Sequence, residues 1–140
     1  MRSRFKRLSA LCLISVLIGG SAFAADEYLF DTLKKPAYRK VWNAMLAKEK
    51  NIPHWLTVFS RNYDAPATPV QTVTVDGKAY LSGYVCMPHN CPDNALAVMF
   101  GEKAASVTAV LVENGKQRYF GKPGEAMRAA LDKAVGKSGP

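Results

Sequence analysis

Apolar residues recur with two different periods along this chain, and the change falls near Val70. Upstream, Val41, Trp42, Met45 and Leu46 lie at helical spacing behind Pro36, and Tyr38 extends their stripe. Arg39, Lys40, Lys48 and Glu49 face away, so a helix is expected from Pro36 until Asn51 and Pro53 end it. Residues 26–33 offer Tyr28, Leu29, Phe30 and Leu33 for a short helical turn, and Pro53 starts a second short helix before His54. Trp42, on a periodic apolar face, belongs to the core rather than to a binding surface. Residues 60–69 carry Asn62, Asp64, Pro66 and Pro69 and read as a loop.

Downstream the period becomes two. Residues 70–75, then Asp76-Gly77, then Lys78–Cys86 predict a hairpin, because Asp-Gly tolerates the positive φ of a two-residue turn. Residues 95–100 are apolar on both faces and read as a central strand covered from both sides. Residues 106–112 are rich in Val and Thr, and Asn114-Gly115 turns them into 117–120 as a second hairpin. Pro123-Gly124 opens a last helix whose stripe is Met127, Ala130, Leu131, Ala134 and Val135, with Gly136 and a polar tail ending it. The expectation is an α+β domain: about five antiparallel strands, flanked by N-terminal helices and a C-terminal helix.

The first 24 residues change this picture. Arg2, Arg4, Lys6 and Arg7 precede an apolar run, and Ser21-Ala22-Phe23-Ala24 ends it in a small-x-small pattern. This reads as a secretory signal peptide cleaved near Ala24/Ala25, too short for a stable transmembrane helix. Cys12 follows Leu11, not the small residue a lipid-attachment site wants. Residues 25–140 are then one periplasmic domain with no membrane segment. The net charge of +8 includes four leader cations, so 15 basic against 11 acidic side chains leave +4. No basic run exceeds Lys34-Lys35, which argues against a nucleic-acid partner.

The candidate site joins two strands: Cys86-Met87-Pro88-His89-Asn90-Cys91, followed by Pro92. In an exported chain, two thiols this close point to a disulfide. The result is a small ring, stiffened by Pro88, which presents His89 in a nearly fixed pose. Three other readings compete. A thiol enzyme needs a free, activated thiolate, and no G-x-S-x-G, H-E-x-x-H or Gly-rich phosphate loop is present, so no catalytic residue and no cofactor are expected. A periplasmic metal-binding protein using Cys86, His89 and Cys91 offers soft and borderline ligands, but it lacks a fourth donor and vanishes if the sulfurs pair. In the plainest reading, the ring only closes a hairpin. His54, the other histidine, reads as a surface residue without a role.

The loop and the strand after it, Ala97-Val98-Met99-Phe100, resemble the Ivy family, bacterial inhibitors of vertebrate (C-type) lysozyme. The best-known member carries Cys-Lys-Pro-His-Asp-Cys at this position. Four of the six loop residues match, with Met87 in place of the lysine and Asn90 in place of the aspartate. More loosely, the likeness runs from about Lys34 to the C-terminus. It implies a loop of Met87, Pro88, His89 and Asn90 that enters the lysozyme cleft, with His89 against the two catalytic carboxyl groups. An endogenous lytic transglycosylase is an alternative target on the same polymer, and a homodimer is left open.

Overall fold

A computed structural model describes residues 25–137 of the chain. The signal-peptide expectation falls on residues 1–24, outside the described residues. Three helices come first: α1 (Leu29–Lys34), α2 (Pro36–Leu46) and α3 (His54–Asn62). Five strands follow, β1 (Ala67–Val75), β2 (Lys78–Cys86), β3 (Asn94–Phe100), β4 (Val107–Glu113) and β5 (Lys116–Phe120), and then α4 (Glu125–Lys137). The strands form one antiparallel sheet in sequence order, so β3 is central and β1 and β5 are edges.

β3 shows why the sheet needs two layers of helices. Its seven residues are all buried. Leu96, Val98 and Phe100 point to one face, where they join Val85, Leu111 and Phe120 against Leu33, Trp42, Leu56 and Phe59 of the N-terminal helices. Ala95, Ala97 and Met99 point to the other, where Tyr84, Cys86 and Val110 meet Leu131 and Val135 of α4. Each fully buried Leu, Val or Phe contributes roughly 1.5–3 kcal/mol relative to exposure, so the two-sided strand is the chief source of cohesion. Trp42 is in the core as expected; its indole N–H donates to Ser60 Oγ at 3.1 Å.

Both expected hairpins form, with Asp76 (φ 48) and Gly77 (φ 73) in one turn and Asn114 (φ 50) and Gly115 (φ 74) in the other. Positive φ at both central positions is the type I′ geometry whose twist suits paired strands.

Three boundaries differ from the sequence reading. α3 continues to Asn62 before Tyr63 turns into the left-handed region (φ 56) and donates its N–H to the Phe59 carbonyl. β1 begins at Ala67, inside the stretch read as loop. Pro69 is accommodated because β1 is an edge strand and its register shifts between Thr68 and Gln71. The Val70 N–H then donates to the Glu27 carbonyl, and Tyr28 bridges to Pro69, so the N-terminal segment covers the first half of this edge. At the other end of the chain, α4 runs through Gly136 to Lys137 rather than ending at the glycine.

Candidate functional site

The link between β2 and β3 is the candidate site, and it is rooted in the core. Cys86 ends β2 on the α4 face, almost fully buried, and its backbone N–H donates to the Pro66 carbonyl at 3.0 Å. Cys86 and Cys91 are disulfide-bonded, with Cα atoms 4.9 Å apart, and Cys91 packs against the same apolar cluster. One end of the ring is therefore anchored in the core while its tip faces solvent.

Within the ring, the Asn90 N–H donates to the Met87 carbonyl at 3.0 Å, closing a four-residue turn. Pro88 occupies the second position and His89, with φ 64, the third. That combination is the signature of a type II turn, in which proline pre-sets the second residue and the third must adopt positive φ. Glycine or asparagine usually fills such a position; histidine is uncommon there, though enriched over most side chains. Pro88 and His89 are exposed, while Met87, Asn90 and Cys91 are half-buried. The imidazole makes no hydrogen bond or ion pair with any described residue. An unengaged ring held at the apex of a tight turn is free to serve as donor, acceptor or, when protonated, double donor.

Asn94 supports the ring from below. Its carbonyl accepts the Met87 N–H at 2.9 Å, and its N–H donates to the Asn90 carbonyl at 3.1 Å. Its buried carboxamide oxygen accepts the Asn114 N–H at 3.3 Å, and the Gly115 N–H donates to the Asp93 carbonyl. The β4–β5 turn thus braces the loop. Sequence reading recognised Asn114-Gly115 as a turn but missed this role. A polar Asn94 between Pro92-Asp93 and a wholly apolar strand was the available signal.

All the residues singled out in the loop, Cys86, Met87, Pro88, His89, Asn90 and Cys91, are brought together. His54 is exposed at the first position of α3 and belongs to a different element. The disulfide consumes both thiolates that a metal site or a nucleophile would use. Among the described residues, no group of three or more His, Cys, Asp or Glu side chains is placed to hold a metal ion. The ionisable groups with displaced equilibria lie elsewhere. Lys35 and Thr32 hold Glu27 below the usual carboxylate range, Lys34 does the same for Asp31, burial pushes Tyr84 up, and the hydrogen bond to Asp132 raises Tyr119.

Comparison with known proteins points to one family. The family model described as "Inhibitor of vertebrate lysozyme (Ivy)" matches residues 37–138. A Pseudomonas aeruginosa protein named "Inhibitor of vertebrate lysozyme" is 28% identical over 145 aligned positions, covering 92% of each chain. An Escherichia coli K12 protein of the same name is 27% identical over 106 positions, covering 76% of this chain and 63% of its own length. An uncharacterized Yersinia pestis protein is 25% identical over 121 positions, covering 77% of this chain and 76% of its own. With a matched segment that spans most of the chain, including every strand and the disulfide loop, this protein belongs to the Ivy family.

Proposed function

We propose that this protein is a periplasmic inhibitor of C-type lysozyme that acts by inserting the Cys86–Cys91 loop into the catalytic cleft, and that it has no catalytic activity of its own. Family membership and the names of the Pseudomonas and Escherichia relatives support the inhibitor class. The observation that carries the mechanism is His89: exposed, unengaged, and held at positive φ inside a disulfide ring. Positive φ also occurs at the turn residues Asp76 and Asn114, so what distinguishes His89 is an exposed, unengaged ionisable side chain at a turn apex closed by a disulfide.

A lysozyme cleft holds two carboxyl groups, one protonated as general acid and one ionised. An imidazole set between them donates to the ionised oxygen and accepts from, or donates to, the other. The ionised carboxylate favours the imidazolium, and exclusion of water strengthens the charge-assisted bond between the two. The turn and the disulfide fix the loop before binding, so little conformational freedom is lost in the complex. Met87 and Pro88 supply apolar contact to the cleft walls. Asn90, where the family loop has an aspartate, keeps hydrogen-bonding capacity without the charge.

The test is a turbidity assay of vertebrate C-type lysozyme on bacterial cell walls, with residues 25–140 as the inhibitor and a lytic transglycosylase in a parallel assay. Inhibition of lysozyme that saturates at equimolar inhibitor supports the proposal. Full lysis in the presence of excess protein refutes it, and inhibition of the transglycosylase alone moves the target to the bacterium's own enzyme. Export is checked by intact mass of protein from the periplasm, which should begin at or near Ala25 and take up alkylating reagent only after reduction.

A further inference from the structure

Three segments meet at one end of the sheet, and the disulfide loop is the middle one. Strand order sets the chain entering β1 on one side of it and the β4–β5 turn on the other. Both neighbours are tied to the base of the loop. On one side the Cys86 N–H donates to the Pro66 carbonyl at 3.0 Å. On the other, the Gly115 N–H donates to the Asp93 carbonyl at 3.1 Å, beside the contact of Asn114 to Asn94. Asp64 and Pro66 are exposed in the first shoulder, and Asn114, Gly115 and Lys116 in the second. At about 4.8 Å per strand, the span from β1 to β4 sets the shoulders roughly 15 Å apart. The loop, residues 87–93, is the longest of the three links and carries its exposed tip between them.

The loop is too small to hold a protein by itself. Its tip offers Met87, Pro88, His89 and Asn90, whereas a stable complex engages roughly 20–30 residues and about 800 Å² on each side. A cleft that accepts the tip brings its two walls towards whatever flanks the loop. Because both shoulders are hydrogen-bonded to the loop base, they approach those walls in a fixed register with His89. Their charges differ: Asp64 stands on one and Lys116 on the other, and neither forms an ion pair with a described residue. An enzyme that works on an anionic cell wall is served by a basic surface, so Asp64 attracts the rim of its cleft and Lys116 opposes it.

We infer that lysozyme is held on both sides of the loop, with Asp64–Pro66 on one rim of its cleft and Asn114–Lys116 on the other. This rests on the loop-insertion reading and adds to it a docking surface outside the ring.

The experiment is cross-saturation NMR on deuterated, isotope-labelled residues 25–140 in complex with unlabelled lysozyme. Saturation is expected at the amides of Asp64, Ala65, Asn114, Gly115 and Lys116 as well as in the loop, and not at Asp76 or Gly77. Calorimetric titration then tests the charges. Asp64→Lys should weaken binding roughly two- to tenfold, the scale of rim ion pairs. Lys116→Gln, which neutralises a cation without setting a second acid opposite Glu113, should tighten it roughly two- to fivefold. Lys78→Gln makes the same charge change at the far end of β2, roughly 25 Å from Cys86 and about three Debye lengths away, and should bind as the parent does. Saturation limited to the loop, or to the loop and one shoulder, would overturn docking on two rims and leave loop insertion standing. Equal tightening by Lys116→Gln and Lys78→Gln would do the same, since it would report overall charge. Absence of any complex would refute loop insertion itself, and this inference with it.

Discussion

The carboxamide oxygen of Asn94 accepts the backbone N–H of Asn114 across 20 positions of sequence, at 3.3 Å. That contact ties the turn of the second hairpin to the base of the disulfide loop. It gives the loop a support that survives independently of the sulfur bridge, since Asn94 also holds Met87 and Asn90 through its backbone.

Asn94→Ala is therefore expected to cost about 1–3 kcal/mol of stability, because the Asn114 N–H loses its acceptor and the buried site loses packing. Urea denaturation measures the loss. Hydrogen exchange locates it, with faster exchange at Asn114, Met87 and Asn90 than in the parent. Unchanged protection at Asn114 would show that the carboxamide is not its acceptor in solution.

The disulfide should matter more to binding than to folding. A six-residue ring removes only about 2 kcal/mol of chain entropy from the unfolded state, less than longer loops do. Cys86→Ala combined with Cys91→Ala should keep the far-ultraviolet circular dichroism spectrum and a cooperative transition. Lysozyme affinity should fall by roughly tenfold or more, as the ordering of a loosened loop is added to the cost of association. Equal inhibition by the parent and the double variant would remove rigidity from the mechanism.

How far the sequence reveals all this depends on how local each cause is. The two hairpins were legible because Asp76-Gly77 and Asn114-Gly115 encode their own backbone geometry. β3 was legible because an uninterrupted apolar run of strand length allows few alternatives. The early start of β1 was hidden: Pro66 and Pro69 signal a loop, and only an edge position with a register shift lets Pro69 stay in a strand. The candidate loop announced itself through two cysteines and a histidine. Its bracing by Asn94 and Asn114 left only the polar Asn94 ahead of an apolar strand as a trace, since the contact depends on strands brought together by the sheet. The Tyr84 hydroxyl, buried without a hydrogen-bond partner among the described residues, is likewise a property of packing, not of sequence.

Alkaline stability should report on that tyrosine. Burial raises the folded pKa of Tyr84 above the unfolded value, and the Asp132 hydrogen bond does so for Tyr119. A raised pKa means that the unfolded chain gives up its proton first. The stabilisation is complete below the unfolded value of about 10 and is lost as pH rises through the folded value. Urea midpoints should fall as pH increases above about 10, and Tyr84→Phe should lessen the fall while Tyr119 maintains part of it. An identical alkaline decline in parent and variant would show that Tyr84 ionises as easily in the folded protein as in the unfolded one.

The central claim, that His89 is the principal contact with lysozyme, is tested most directly by calorimetric titration of lysozyme with parent, His89→Ala and His54→Ala proteins. His89 is exposed at a turn apex, so its removal should leave folding intact, which circular dichroism verifies. Truncation of a central binding residue typically costs about 2–4 kcal/mol, so affinity for His89→Ala should fall roughly 30- to 1000-fold. His54→Ala should bind like the parent. If His89→Ala binds lysozyme as tightly as the parent and still inhibits it, the imidazole does not plug the cleft and the inhibitory surface lies elsewhere on the protein.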